Sequence, residues 1–250
     1  VGLSLTERHQ VEREFHDHKS GHERRDFYTL GALDAADHYV RRLLGDVRGQ
    51  TVLELGCGTG ENTIWLAAGG AEVHATDISA GMVDTTLRRV GGAGLGGRVH
   101  AQQMSAEHLA YADASFDLVF GHSVLHHTDL AITRAEVRRV LRPGGRAVFL
   151  EPLGHNPLLA AFRALTPGRR TPTERPLSDE DMRFFAEPFA SMRHREFYLL
   201  ALAAFPLWPL GSRVLFQAAL APLTRLDDAL LARRPGLGRY AWVTVVELTR

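Results

Sequence analysis

A glycine turn with an acid before it, an aspartate at the end of an apolar run, and a cluster of histidines and a glutamate stand at spacings that chemistry could use. Glu54 precedes Gly56-Cys57-Gly58-Thr59-Gly60, and Asp77 with Ile78 closes EVHATDI. His126 and His127 follow the apolar run FDLVF; Glu151 and His155 follow RAVF and the leucine after it. Glycines let a ligand lie directly against the backbone and supply the left-handed φ of a tight turn. A carboxylate about twenty residues beyond such a turn can accept from both hydroxyls of a ribose. Histidine, with an ordinary pKa of about 6.5, suits removal of a proton from a phenol or amine near neutral pH.

These residues converge only if each follows a strand of one sheet. Val52, Leu53 and Leu55 make the short apolar run of a buried parallel strand, and Ile64, Trp65, Ala67 and Ala68 follow the glycines at helical spacing. Strand, glycine turn and helix open a nucleotide-binding βαβ unit, with the helix aiming unpaired N–H groups at the ligand. Further strands are expected at 98–104, 116–120 and 146–151, with helices at 79–90, capped by Ser79, and at 132–141. Five strands alternating strictly with four helices predict a doubly wound parallel sheet. A sixth strand is expected at 193–200 and a seventh at 240–249. Two helices are expected before the first strand, at 7–18 and from 32 or 34 to 44. Pro167, Pro172 and Pro176 mark a loop between two later helices, the second started by Ser178 with Asp181. The apolar stretch 201–234 reads as two short helices. Pro206, Pro209, Gly211 and Arg213 break any run of the roughly twenty apolar residues that a membrane span needs. It would cover the crevice, form a homodimer contact or rest on a membrane surface.

A dinucleotide fingerprint would need glycine where Glu61 stands, and an acid there repels a pyrophosphate, so a cationic ligand without phosphate fits better. Here the sequence resembles a family. VLELGCGTG is similar to the first motif of the class I, Rossmann-like S-adenosylmethionine-dependent methyltransferases, and FLEPLGHNP and LDDALLARRPGL look like the ubiquinone- and menaquinone-biosynthesis type of bacteria. The resemblance implies a seven-stranded, mostly parallel sheet whose last strand runs antiparallel beside the fifth. It implies an N-terminal helical lid (1–48), a cofactor-binding core (49–152) and an acceptor-side part (153–250), with the insertion 201–234 before the last strand. S-adenosylmethionine would be the cofactor, leaving S-adenosylhomocysteine. By the same resemblance Gly56, Cys57, Gly58 and Gly60 lie against its aminoacyl part, whose positive end Glu54 organises. Ser105, Ala106 and Glu107 stand at the adenine position, with Ser105 replacing the usual aspartate, and His122 offers a backbone carbonyl to the amino group. The LHH of 125–127 is similar to a sequence the family carries there. Tyr28, His38 and Tyr39 of the lid become candidates to face cofactor or acceptor.

Lys+Arg 29 balances Asp+Glu 29, which argues against a nucleic-acid partner. Cys57 is the single cysteine, so no internal disulfide and no cysteine-based zinc site can form; it reads as packing within the turn. His16, His18 and His22 do not share one helix face and read as solvated histidines, so no metal is expected. No basic segment with an apolar core precedes the domain, and a cytoplasmic chain is expected. Lys19 is the only lysine, an arginine-rich bias that fits a GC-rich bacterial genome. The expected activity is methylation of a small aromatic or otherwise apolar natural product in bacterial secondary metabolism, at oxygen, nitrogen or carbon, an indole- or quinol-like ring included. His126, His127, Glu151 or Tyr28 would supply the base. A catalytically silent binding protein of the same fold is the alternative; a nicotinamide-dependent oxidoreductase is disfavoured by Glu61.

Overall fold

Val52 to Leu55 are buried on both faces, and burial of this kind puts the first strand, β1 (Thr51–Leu55), at the centre of a sheet. The computed structural model describes residues 3–19 and 30–250. Its sheet has seven strands, ordered β3-β2-β1-β4-β5-β7-β6. β2 (Glu72–Asp77), β3 (Val99–Gln103), β4 (Phe116–His122) and β5 (Leu141–Pro152) run parallel to β1. β7 (Val243–Thr249) inserts antiparallel between β5 and β6 (Ser191–Phe197). The strand order reverses between β1 and β4, which is where open parallel sheets bind ligands, outside the carboxyl ends of their strands.

Side-chain alternation assigns each strand residue to one of two cores. Val52, Leu118, Phe120, Val148 and Leu150 face α2 (Asp34–Leu44), α3 (Glu61–Ala68) and α8 (Arg213–Arg233). Leu53, Leu55, Val119, Ala147 and Phe149 face α5 (Leu130–Val140) and α7 (Asp179–Ala186). With a period of two, Glu54 and His122 fall on the α2–α3 face and Glu151 on the α5 face. That parity decides which partner each polar residue meets.

Capping fixes where the helices begin. Ser79 Oγ accepts from Met82 N at 3.0 Å to start α4 (Ala80–Gly92), and Ser178 with Asp181 forms the expected capping box of α7. Asn156 caps α6 (Pro157–Leu165). At α2 the cap comes from far away in sequence: the Tyr198 hydroxyl accepts from Ala35 N and Ala36 N, both at 3.1 Å. α1 (Leu5–Lys19) lies across the carboxyl ends of the central strands, on the crevice side.

Two expectations need correction. No helix joins β3 to β4, so three helices, not four, separate the first five strands among the described residues. The connection 104–115 is held instead by α5: Arg139 donates to Leu109 O at 2.8 Å and Tyr111 O at 2.7 Å, and Leu109 N donates to Glu136 at 2.8 Å. Those side chains satisfy backbone groups that a helix would otherwise pair. The insertion, expected as two short helices, is a 3-10 turn at Ala201–Leu210 followed by the single 21-residue helix α8, which runs through Pro222. A helix-interior proline costs about 3 kcal/mol. Pro222 sits on the exposed face, while Phe216, Leu220 and Asp227 anchor the helix on either side.

Candidate active site

The glycine turn has the open cradle that the sequence requires. Gly58 has φ +53°, and a Cβ built there would meet nothing within 4 Å, so ligand atoms could come to the backbone at this point. Gly60 has φ +81° and would drive a Cβ to 2.9 Å from Thr86. Two carboxylates stand beneath the turn. Glu54 reaches across the α3 face, where Thr63 Oγ1 donates to it at 2.5 Å. Burial, with Asp77 adding its charge, pushes its carboxyl up to about 8. Asp77 accepts from Gly58 N and Ser79 N, both at 2.9 Å; burial also pushes its carboxyl upward, against the pull of those two N–H groups. No lysine or arginine faces these acids through a hydrogen bond or ion pair among the described residues. Two buried acids beside an open glycine cradle fit a cationic ligand with hydroxyls and disfavour a phosphate.

Cys57 is buried in the turn with Thr86 Oγ1 at 3.5 Å from its sulfur, and burial pushes its thiol far above the ordinary range, which makes it a packing residue. Ile78 offers its carbonyl to Gln103 Nε2 at 2.9 Å. Ser105, at the end of β3, hydrogen-bonds Glu107 and lies 3.2 Å from His9 Nε2; Ala106 beside it is buried. Glu107 in turn accepts from Asp129 N at 3.0 Å.

At the end of β4 the chain turns through Ser123, a non-glycine residue at φ +58°. Such strain gathers at functional sites. Here it swings the next three backbone N–H groups toward Glu151. Val124 N and Leu125 N donate to Glu151 Oε1 at 2.8 Å each, and His126 Nδ1 lies 2.7 Å from Oε2. Burial opposes ionisation of Glu151, but His126 and the two N–H groups hold its carboxyl below the usual carboxylate range. Glu151 is wholly buried and so cannot itself meet an acceptor. It orients His126, whose Nδ1 is engaged and whose Nε2 is left for other work. His126 lines a cavity of about 360 Å³ together with Arg8, Thr128, Thr173, Arg175 and Phe184.

The other histidines separate. His122 Nε2 lies 3.2 Å from Asp37 Oδ1 on α2, tying the end of β4 to that helix. His127 turns to α1, with Nδ1 3.0 Å from Glu12 Oε2, and burial holds its pKa below the ordinary histidine value. His16, expected in solvent, also meets Glu12, at 3.6 Å; His18 is exposed. His38 is exposed, and Tyr39 packs on Phe197 with ring centres 5.4 Å apart. His155 Nδ1 is buried with no hydrogen-bond partner among the described residues. Tyr28 and His22 lie outside the described residues.

Sequence reasoning passed over Glu12, Asp17, Asp37 and Asp227. Asp17 accepts from Ser79 Oγ at 2.5 Å and Gly81 N at 3.1 Å, which sets α1 beside Asp77. Asp227 accepts from Leu199, Leu200 and Ala201 N at 2.6 to 3.1 Å and anchors the insertion. Glu12, Asp17 and Asp37 are acids in polar stretches and Asp227 is one of an adjacent pair in an apolar one, with no spacing to mark any of them. The insertion packs against α2 and the segment before it, through Gln217 Nε2 to Leu30 O at 2.7 Å and Arg213 to Asp34 at 3.0 Å, and not against His126.

Known proteins resemble this chain in sequence and in fold. Residues 53–149 match a family model described as a methyltransferase domain. The chain is 41% identical over 100 residues to methyltransferase GfsG of Streptomyces halstedii, covering 39% of this chain and 36% of that protein. It is 38% identical over 111 residues to a demethylmenaquinone methyltransferase of Clavibacter sepedonicus, covering 44% of each. The matches thus span less than half the length of either relative. Among solved structures, geranyl diphosphate C-methyltransferase from Streptomyces coelicolor A3(2), in complex with Mg2+, geranyl diphosphate and S-adenosyl-L-homocysteine, superposes with a TM-score of 0.65 at 13% identity over 97% of both chains. At that identity the likeness is one of fold: a Rossmann-like methyltransferase sheet.

Proposed function

We propose that this chain, which carries a methyltransferase domain on a Rossmann-like methyltransferase sheet, transfers the methyl group of S-adenosylmethionine to a hydroxyl or other proton-bearing position of a small ring compound. The observation that carries the reading is the glycine turn with two buried carboxylates beneath it, neither of them paired with a lysine or arginine among the described residues. The residues suit the cofactor: Gly58 leaves room for it, Glu54 would hold its ammonium end, Asp77 its ribose, and Ser105 with Glu107 its base. When bound, S-adenosylmethionine supplies a methyl carbon already activated on a sulfonium.

The protein's own work is to hold the acceptor in line and, where the acceptor must lose a proton, to take it. Alignment alone can contribute several kcal/mol. His126 is the group arranged for the proton. With Nδ1–H donated to Glu151, its Nε2 is the accepting nitrogen, and the negative Glu151 stabilises the imidazolium that forms. Arg8, Thr173 and Arg175 around the adjoining cavity offer hydrogen bonds to a polar edge of the acceptor, and Leu125 and Phe184 offer apolar contact to its ring. A base held this firmly favours phenols, enols and similar hydroxyl acceptors over electron-rich carbon.

The test is turnover with radiolabelled S-adenosylmethionine over a panel of phenols, enols, amines and indoles. Methylated product is expected from a hydroxyl acceptor, and His126→Ala should lower kcat by roughly 100- to 10,000-fold while the KM for the methyl donor stays as it was. Wild-type kcat in His126→Ala on every accepted substrate would remove the base from the mechanism.

A further inference from the structure

Glu12 and His16 lie one helical turn apart on α1, so both face the same way, and they face His127 of the loop after β4. Glu12 is only 3% exposed. Its Oε1 accepts from the hydroxyls of Thr171, at 2.7 Å, and Thr173. Among the described residues its Oε2 is buried without a hydrogen bond of proper geometry, yet His127 Nδ1 stands 3.0 Å from it and His16 Nε2 3.6 Å. All three ligand atoms lie within 4.8 Å of one another.

We propose that Glu12, His16 and His127 form a site for a divalent transition-metal ion, Zn2+ first among them, that clamps α1 across the carboxyl end of the sheet. The spacing suits the ion. Bonds of about 2.0 to 2.2 Å in tetrahedral geometry set neighbouring ligand atoms roughly 3.3 to 3.5 Å apart, and the two observed separations bracket that range. The donor set suits it as well. Two imidazoles and a carboxylate select Zn2+, Fe2+ or Co2+, whereas Mg2+ and Ca2+ require oxygen. Thr171 and Thr173 fix the carboxylate from behind, as outer partners of metal ligands do. A second grouping, His126, His127 and Glu174, is weaker, because Glu174 already pairs with Arg163 at 2.8 Å and His126 Nδ1 with Glu151.

The clamp has a consequence for the crevice. α1 also sets His9 against Ser105 and Asp17 against Ser79, so the same helix spans the proposed adenine and ribose sides. Metal binding would hold that cover in place, with at least one position of the ion left to water or an acceptor oxygen. The site stands independently of methyl transfer and is measured without turnover.

The experiment strips the full chain with a chelator and titrates it with Co2+, following the visible ligand-field bands, then displaces Co2+ with Zn2+ and counts bound metal by mass spectrometry. One ion per chain is expected. Glu12→Gln and His16→Ala should each weaken Zn2+ binding by at least about 100-fold, the upper end of what losing an outer partner costs. His18→Ala, on the exposed side of the helix, should leave affinity unchanged. Zn2+ should also slow amide exchange in α1 of the unsubstituted chain, a readout that does not depend on any variant folding. Absence of stoichiometric Co2+ bands would overturn the proposal. So would binding that survives Glu12→Gln combined with His16→Ala, or displacement of Zn2+ by equimolar Mg2+.

Discussion

Glu54 carries the strongest electrostatic consequence at the scale of single residues. Its native pKa of about 8 lies above the ordinary carboxylate value because burial disfavours its charge. A carboxyl raised on folding contributes stability that is complete below its unfolded pKa and is lost as pH rises through the native one. Between roughly pH 4.5 and 8, the free protein therefore keeps a proton on Glu54 that a bound cation would displace. Calorimetry at pH 6.5 in two buffers of different ionisation enthalpy should find cofactor binding coupled to release of on the order of one proton. In Glu54→Gln that release should vanish; the same proton count in both proteins would mean that Glu54 does not sense the cation. Glu54 and Asp77 were legible in the sequence because each follows an apolar run and stands at a fixed distance from the glycines. Glu151 was legible as a strand-end acid, but its task was not. Only the parity of β5 and the strained turn at Ser123 make it the acceptor for Val124, Leu125 and His126.

Among the elements, the turn between β1 and α3 is the one on which ligand binding depends. Gly58→Val introduces a β-branched side chain at φ +53° into space that no protein atom fills. The backbone strain should cost about 1–3 kcal/mol, seen as a modest fall in melting temperature. Cofactor binding should be lost altogether, since the side chain occupies the cradle. Retained affinity in a folded Gly58→Val protein would separate the turn from the ligand. The central strands β1, β4 and β5 were readable because parallel strands buried on both faces leave contiguous apolar runs. The connection 104–115 misled because its backbone is satisfied by side chains of α5, which no local pattern records. The expectation of two short helices in 201–234 failed in the opposite sense: burial of Phe216, Leu220 and Asp227 outweighs the local cost of Pro222 and keeps α8 continuous.

For the whole molecule, the order β3-β2-β1-β4-β5-β7-β6 brings the ends of β1, β2 and β4 together at the point where the order reverses, and α1 closes over them. The sheet followed from the alternation of apolar runs. The position of α1 did not follow from that pattern, and only the family resemblance implied a lid there, because it is a polar helix whose inward face is built from Glu12, His16 and His9, residues whose types alone belong to water. No helix among the described residues is long and apolar enough to cross a membrane. The function proposed for the crevice depends on the turn from Thr51 to Thr63 holding a sulfonium cofactor and not a dinucleotide. The most direct test is calorimetric titration of the full chain with S-adenosylmethionine, S-adenosylhomocysteine and NAD. Saturable one-to-one binding of both adenosyl ligands with no heat from NAD is expected; binding of NAD with neither adenosyl ligand would overturn the assignment.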